Sequence, residues 1–169
     1  MIIQESGAVL LQVINDILDY SKLASGCFSI SSEVFNIADI VSSVVRPYQT
    51  RSESQVAIKV SLGSDVPHIA KGDPLRYRQV LQNLVSNAVK FTEEGSISIH
   101  ASLIGEDSIT HTILTEVIDT GIGVPAHTVD SLFKQFTQLD APATKRHQGT
   151  GLGLSICRSC LLYTSDAAD

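Results

Sequence analysis

The sequence predicts an α+β fold, with helices packed on one face of a mixed β-sheet. Two apolar alternations, over residues 56–62 and 97–103, predict strands with one buried face. A run over residues 75–91 without a breaker predicts a long helix, because Asp73 and Pro74 form a favourable cap and first turn. A chain of 169 residues is long enough to enclose one hydrophobic core.

Further elements follow from similar patterns. Residues 35–50 predict another helix, and Glu106-Asp107-Ser108 predicts a hairpin turn before a β-branched strand over residues 110–118. Near the N-terminus, a helix that ends at Gly26 is predicted to carry a heptad-like seam, which favours pairing with a second helix and hence dimerisation. Packing against the chain's own domain is the alternative. The seam comprises Ile3, Gly7, Leu10, Ile14, Ile17 and Ser21.

Composition excludes several classes of function. The net charge of −6 argues against nucleic acid as a partner, and 18% charged residues argue against disorder. No apolar run approaches 18 residues and no signal peptide opens the chain, so we expect a cytoplasmic location without membrane contact, compatible with a membrane anchor upstream. Cys157 and Cys160 form a lone C-x-x-C pair without the two further ligands that a zinc site needs.

The long predicted helix carries a polar stripe. At 100° per residue, Asn83, Asn87 and Lys90 fall within an arc of roughly 60°. An amide oxygen suits Mg²⁺ and an ammonium suits phosphate, although a solvated helix face would have the same composition. The adjacent apolar stripe, which we expect to face the core, comprises Tyr77, Val80, Leu84, Ala88 and Phe91.

Asp119 follows the last predicted strand. A carboxylate there can accept a hydrogen bond from the amino group of adenine, whereas guanine presents a carbonyl at the same place. Gly121 and Gly123 permit close backbone approach and unusual dihedral angles. An ordinary Asp-Thr-Gly turn is the alternative.

A glycine-rich segment precedes a helical pattern near the C-terminus. Backbone amides in such a segment form an anion site, and no P-loop motif occurs anywhere in the chain. The preceding residues 140–148 are polar, which excludes the strand that a dinucleotide fingerprint requires. Lys145 and Arg146 are candidates for phosphate contact, and a solvated charged loop or a turn without ligand are the alternatives. The segment is Gly149, Thr150, Gly151, Leu152, Gly153 and Leu154.

Together these stretches resemble the N-box (residues 83–92), G1 box (119–123) and G2 box (149–154) of the catalytic ATP-binding domain of sensor histidine kinases. That domain belongs to the ATPase superfamily that includes the gyrase B, Hsp90 and MutL proteins. Residues 132–140 resemble the F-box, where Phe133 and Phe136 are expected to anchor a lid in the core. The resemblance implies a Bergerat-type α/β sandwich over residues 27–158, preceded by one helix of a dimerisation and phosphotransfer domain over residues 1–26.

The resemblance also implies a function. The module would bind ATP with Mg²⁺ and transfer the γ-phosphate to a histidine within a homodimer, with a response regulator receiver domain as partner. Asp119 would recognise adenine, and Asn87 would hold Mg²⁺ with support from Asn83. The full set of implied nucleotide contacts is Asn83, Asn87, Lys90, Phe91, Asp119, Gly121, Gly123, Lys145, Arg146, Gly149, Thr150, Gly151, Leu152, Gly153 and Leu154.

Asn83 separates two branches of the superfamily. Hydrolysing relatives carry a Glu four residues before the metal-binding Asn, where it activates water as a general base. Asn83 occupies that position here, which favours phosphoryl transfer over hydrolysis. A GHKL-type ATPase and a non-catalytic dimerisation fragment remain the alternatives.

Two departures from the family pattern limit the expected activity. None of the histidines lies in the family's phosphoacceptor motif, so the acceptor is expected on another chain segment. Residues 159–169 depart from the pattern where two further strands are expected, and we interpret them as a cloning remnant. An isolated chain is therefore expected to be inactive and only partly folded. The histidines are His68, His100, His111, His127 and His147.

Overall fold

The computed structural model describes residues 7, 10, 14, 15, 17, 18, 21, 22, 29–49, 55–134, 137 and 151–166. Two units can be distinguished along the chain. One comprises Ser31–Val124, and the other comprises Met1–Ile30 together with Pro125–Asp169.

The described part of the unit of residues 31–124 contains five strands and two long helices. In chain order they are β1 (Glu33–Asn36), α1 (Ile37–Gln49), β2 (Val56–Leu62), β3 (Ile69–Gly72), α2 (Pro74–Phe91), β4 (Gly95–Glu106) and β5 (His111–Asp119). Strands β2, β4 and β5 form one sheet, in which β2 runs parallel and β5 antiparallel to β4. Strands β1 and β3 form a separate antiparallel pair. The mixed sheet confirms the predicted α+β class.

Strand β4 shows how the helices cover one face of the sheet. Its apolar residues Ile97, Ile99 and Ala101 are buried, whereas the alternating Ser98 and His100 are only half-buried. Apolar residues of α1 and α2 complete the same core, and apolar burial of this kind is the main stabilising contribution to a fold of this size. From the helices the core receives Ile37, Ile40, Val41, Val44, Val45, Leu81, Val85 and Ala88.

The predicted helix over residues 35–50 begins two residues later than expected, because Phe35 and Asn36 belong to β1. The side-chain oxygen of Asn36 accepts a hydrogen bond from the backbone N–H of Asp39 (3.3 Å), which caps the first turn of α1. Phe35 packs instead against Tyr77, with ring centroids 6.0 Å apart. Strands β1 and β3 were not predicted from the sequence.

The hairpin between β4 and β5 lies close to its predicted place. Glu106 is the last residue of β4, and the turn runs from Asp107 to Thr110. The carboxylate of Asp107 accepts hydrogen bonds from the backbone N–H groups of Ile109 and Thr110, both at 2.7 Å. These bonds fix the turn one residue later than the sequence indicated.

Helix α2 begins as predicted. Asp73 is its N-cap, Pro74 occupies the first turn, and the Asp73 carboxylate accepts hydrogen bonds from the N–H groups of Arg76 (3.0 Å) and Ser31 (2.9 Å). Burial raises the pKa of Asp73, but the bonds from Arg76 and Ser31 outweigh it and hold this pKa below its usual value. The cap is therefore a charged group that stabilises the folded state.

The second unit contains a 3₁₀ turn (Ala126–Thr128), the short helix α3 (Val129–Leu132) and helix α4 (Gly153–Asp166). Phe133, expected in the core, is 39% exposed where α3 ends, so that expectation is wrong; Phe136 lies outside the described residues. Within the described part of the chain, no helix is both long enough and apolar enough to span a bilayer.

The N-terminal segment agrees with the predicted helix wherever it is described. Its described positions between Gly7 and Lys22 are helical and exposed. Three seam residues, Leu10, Ile14 and Ile17, are 60%, 45% and 49% exposed. The other predicted landmarks, Ile3 and Gly26, lie outside the described residues. An exposed apolar seam is available for a partner.

Replacing Asp73 should destabilise the fold in a pH-dependent way. Asp73→Ala is expected to lower the free energy of unfolding by about 1 kcal/mol at pH 7, as for loss of an N-cap. Because the folded pKa is depressed, the charge contributes above the ordinary value of 3.8 and this contribution is lost as pH falls through the folded pKa.

Urea unfolding of the parent, Asp73→Ala and Asp73→Asn at pH 7 and near pH 3 measures both effects. The parent's advantage over Asp73→Asn should shrink at the lower pH. Glu93→Gln, which removes an exposed carboxylate after α2, is the control. Equal stability of the parent and Asp73→Ala at pH 7 would contradict the capping role.

Candidate functional site

Helix α2 presents the predicted polar stripe on the side away from the hydrophobic core. Asn83, Asn87 and Lys90 are half-buried, while the fully buried residues of the helix are Leu81, Val85 and Ala88. At 100° per residue these two sets lie on roughly opposite sides of the helix. One helix therefore supplies core packing on one side and amide and ammonium groups on the other.

The apolar stripe predicted for α2 was partly misplaced. Ala88 is buried and Tyr77 packs against the core, but Val80, Leu84 and Phe91 are only half-buried. These three side chains flank the polar stripe, since they lie between it and the buried side. The buried side is set by packing against α1 and β5, which the helix alone cannot reveal.

Lys90 is held close to an aromatic ring. Its Nζ lies 5.1 Å from the centroid of the Phe91 ring, within the range of a cation–π contact. Burial lowers the pKa of the Lys90 ammonium from its usual value. An anion bound beside this ammonium would oppose that shift and favour the charged form.

Asp119 is the last residue of β5, opposite Ile97 in the register of the β4–β5 pair. Its Oδ1 accepts a hydrogen bond from the backbone N–H of Gly121 at 2.9 Å. The residue is exposed, so the carboxylate is accessible to a ligand. The hydrogen bond from Gly121, two residues later, orients the Asp119 carboxylate in the manner of an Asx turn.

The loop after Asp119 lies against the C-terminal end of α2. A Cβ atom on Gly121 would lie 2.3 Å from the carbonyl oxygen of Phe91 and 2.9 Å from Asp119 Oδ1, so only glycine fits. The N–H of Ile122 donates a hydrogen bond to the same Phe91 oxygen at 3.2 Å. Gly123 adopts a positive φ of 68°. The structure thereby brings together Phe91, Asp119 and Gly121.

In the second unit, the described part of the glycine segment leads into a helix. Gly151 has a positive φ of 69°, Leu152 is buried, and α4 begins at Gly153. The Leu152 carbonyl accepts hydrogen bonds from the Ile156 N–H (2.9 Å) and the Ser155 hydroxyl (2.8 Å). A glycine turn before a helix N-terminus is the arrangement predicted from the sequence. Lys145, Arg146, Gly149 and Thr150 lie outside the described residues.

Residues 72–165 match the family described as histidine kinase-, DNA gyrase B-, and HSP90-like ATPase. The chain belongs to this family. It contains the family's ATP-binding domain as it occurs in histidine kinases, which confirms the resemblance that the sequence motifs carried. The match extends to residue 165.

Two curated relatives are similar over nearly the whole chain. Two-component system protein A of Emericella nidulans is 50% identical over 160 residues, which cover 94% of this chain and 24% of that protein. The signal transduction histidine-protein kinase BarA of Escherichia coli is 40% identical over 158 residues, covering 91% of this chain and 17% of that protein. The chain spans about a quarter or less of the length of these relatives.

A solved structure supports the same assignment. The crystal structure of full-length ShkA in complex with AMPPNP superimposes with a TM-score of 0.74 at 31% sequence identity. The superposition covers 92% of this chain and 31% of the ShkA chain. Both the fold class and the family are therefore consistent between sequence and structure.

Thr92 ends the stretch that resembles the N-box, but its burial was not predicted. Thr92, which follows Phe91 as the C-cap of α2, is 3% exposed. Its hydroxyl oxygen has no hydrogen-bond partner among the described residues.

Gly121→Ala should disturb this junction. The added methyl group would meet the Phe91 carbonyl and should lower the free energy of unfolding by about 1–3 kcal/mol, as overpacking does. Gly105→Ala is the control, because its Cβ would meet Thr112 at an ordinary 3.5 Å. Urea unfolding compares the two variants, and a Gly121→Ala variant as stable as Gly105→Ala would refute the close approach.

Proposed function

We propose that the chain is the ATP-binding catalytic module of a sensor histidine kinase, which transfers the γ-phosphate of ATP to a histidine on a separate domain. The observation that carries this proposal is the contact between the Asp119 loop and the end of α2. This contact joins the loop of Asp119, whose carboxylate is suited to adenine, to the end of α2. Helix α2 carries the groups that are proposed to bind phosphate and metal. The names of the relatives, two-component system protein A and histidine-protein kinase BarA, point to the same activity.

In this proposal Asp119 recognises adenine. Its Oδ1 is oriented by the Gly121 N–H, and a carboxylate accepts more than one hydrogen bond. The exocyclic amino group of adenine is a donor that such an acceptor can bind. The carbonyl of guanine at the equivalent position would be an acceptor facing an acceptor, which disfavours GTP.

Mg²⁺ fits the donor set of the polar stripe. The side-chain oxygen of Asn87 is a hard ligand, and Asn83 lies one helical turn earlier on the same side. Two neutral amides supply few protein ligands, which suits a metal that retains water and phosphate oxygens. A bound Mg²⁺ would neutralise part of the phosphate charge.

The phosphates are assigned to Lys90 and to the glycine segment. The half-buried Lys90 ammonium is already partly desolvated, so a phosphate oxygen beside it would be only weakly screened by water. Residues 149–154 are proposed as further phosphate contacts because they resemble the family's G2 box, and backbone N–H groups in a glycine-rich segment before a helix can bind an anion. Lys145 and Arg146 are proposed as further phosphate contacts, and Phe91 is proposed to contact the nucleotide.

Transfer is proposed rather than hydrolysis because of Asn83. An amide cannot accept a proton from water at neutral pH, so this position lacks the general base that an ATPase needs. The competing function is a GHKL-type ATPase. Steady-state release of inorganic phosphate well above the rate of phosphotransfer would favour that ATPase instead.

Dimerisation is proposed through the N-terminal helical segment, with a receiver domain as a downstream partner. Leu10, Ile14 and Ile17 are exposed at heptad-like spacing, which suits knobs-into-holes packing with a second copy. We assign residues 1–26 to this dimerisation helix and 27–158 to the ATP-binding domain. A dimerisation segment without nucleotide binding is the remaining alternative, which calorimetry with ATP and Mg²⁺ would identify by the absence of binding heat.

Asp119→Asn and Asn87→Ala should each abolish detectable ATP binding. Asp119→Asn turns an acceptor partly into a donor and should cost about 2 kcal/mol or more, roughly 30-fold in affinity. Asn87→Ala removes the proposed Mg²⁺ ligand. Titration calorimetry with ATP and Mg²⁺ measures both, with the exposed His127→Ala as control. If Asp119→Asn bound ATP like the parent, the adenine role would be wrong.

Phosphotransfer should require a second polypeptide. Incubated alone with radiolabelled ATP, the chain should acquire no acid-labile phosphate, because its histidines lack the acceptor motif. Supplied with a dimerisation domain that carries the family's acceptor histidine, it should label that domain in trans. Acid-labile labelling of the isolated chain would contradict the prediction that none of its five histidines, His68, His100, His111, His127 and His147, is an acceptor. His111→Ala would test the exposed histidine whose Nε2 lies 3.2 Å from Glu106.

A further inference from the structure

Tyr77 and Thr115 form a polar contact in apolar surroundings. Thr115 lies on the side of β5 that faces the helices, between Ile113 and Val117, which both pack against the core. Tyr77 packs against the same core from α2. The two hydroxyl oxygens are 3.1 Å apart, and either can be the donor of the hydrogen bond between them. Each hydroxyl thus obtains its partner from the other element.

The contact joins two neutral groups at neutral pH. Burial raises the pKa of Tyr77, although the hydrogen bond with Thr115 opposes that shift, so the phenol stays protonated. Both residues are half-buried, and partial exclusion of water strengthens a hydrogen bond between them.

Helix α2 is tied to the β5 segment at two places. Near the start of the helix Tyr77 bonds to Thr115, and at its end the Phe91 carbonyl accepts the Ile122 N–H at 3.2 Å. Helix α2 therefore runs in the same direction as β5. Tyr77 and Phe91 are roughly 21 Å apart along the helix, and an extended stretch from Thr115 to Ile122 spans up to roughly 23 Å. The two spans match, so both ties can hold at once.

The core and the hydrogen bond constrain α2 differently. Apolar burial is non-directional, so it resists a small slide of the helix along β5 less strongly than a rotation that exposes the buried side. A hydrogen bond weakens steeply when its distance or angle changes, so it fixes the position along the strand. Asn87 and Asp119 both lie between the two ties, one on α2 and the other at the end of β5. Their separation is therefore sensitive to such a slide.

We propose that Tyr77 is a positioning residue of the nucleotide site, whose hydrogen bond with Thr115 holds Asn87 at the distance from Asp119 that ATP with Mg²⁺ requires. This inference rests on the proposed function. The base and the phosphates of ATP are covalently joined, so they reach Asp119 and Asn87 together only within a narrow range of separations. Without the bond, α2 populates other positions, and the apparent affinity falls by the fraction that stays competent. Adenosine has no phosphates, so it engages Asp119 alone and is insensitive to the position of Asn87.

The test compares Tyr77→Phe and Thr115→Val with the parent, using calorimetric titration of ATP with Mg²⁺ and NMR titration of adenosine. Each variant removes one hydroxyl and should bind ATP about 3- to 10-fold more weakly, as loss of one neutral hydrogen bond predicts. The double variant should bind ATP no more weakly than either single variant, because both changes break the same bond. Adenosine should bind all three variants like the parent.

Two further variants control the comparison. Thr115→Ser keeps the hydroxyl and should restore the affinity for ATP. Thr112→Val removes a hydroxyl from an exposed position of the same strand and should leave that affinity unchanged. If Tyr77→Phe does not fold, Thr115→Val and Thr115→Ser decide the question by the same titrations.

The outcomes separate this inference from the proposed function. A parent chain that binds neither ATP nor adenosine would overturn the proposed function and this inference with it. A parent that binds ATP, with Tyr77→Phe equal to it in affinity, would overturn only the role of Tyr77. Equal weakening of ATP and adenosine by Tyr77→Phe would identify the bond as a general structural contact, and would likewise overturn the positioning role alone.

Discussion

The candidate site depends on one close contact, between the backbone of Gly121 and the carbonyl of Phe91. Gly121 lies just after the end of β5, and Phe91 is the last residue of α2. Strand β5 and helix α2 each pack against the core independently of this contact. Because a side chain at Gly121 would overlap the carbonyl, glycine is what allows the Ile122 N–H to reach it. This contact determines where the Asp119 carboxylate lies relative to the end of α2.

Helix α2 has two roles that cannot be separated. Leu81 and Val85 are fully buried, while Asn83 and Asn87 lie on roughly the opposite side. A rotation of the helix that exposed the first pair would also displace the second. The free energy of apolar burial therefore holds the amide stripe in its orientation, without any contact from the stripe itself.

Local signals in the sequence predicted those parts of the fold that local chemistry determines. Asp73 and Pro74 marked the start of α2, and apolar alternation marked β2 and β4, since both depend on neighbours along the chain. Strands β1 and β3 escaped prediction because each has four residues and is defined by its pairing with the other.

The same distinction applies within the candidate site. Asn83, Asn87, Lys90 and Asp119 were identified from residue type and spacing, but the half-buried state of Val80 and Leu84 was not, because it depends on what α2 packs against. The burial of Thr92, the last residue of the N-box stretch, was not predicted for the same reason. The roles of Lys145, Arg146, Gly149 and Thr150 stay predictions.

The base of the β4–β5 hairpin has a consequence for folding kinetics. The Thr120 N–H donates to the Ser96 carbonyl at 3.1 Å, and the Ser96 N–H donates to the Thr120 hydroxyl at 3.0 Å. These bonds and the Ile122–Phe91 bond join parts of one continuous segment, whereas the parallel pairing of β2 with β4 must close a loop that contains β3 and all of α2. Loop closure costs more entropy as the loop lengthens, so the segment from Phe91 to Ile122, which bears Asp119, has a lower contact order than the pairing of β2 with β4.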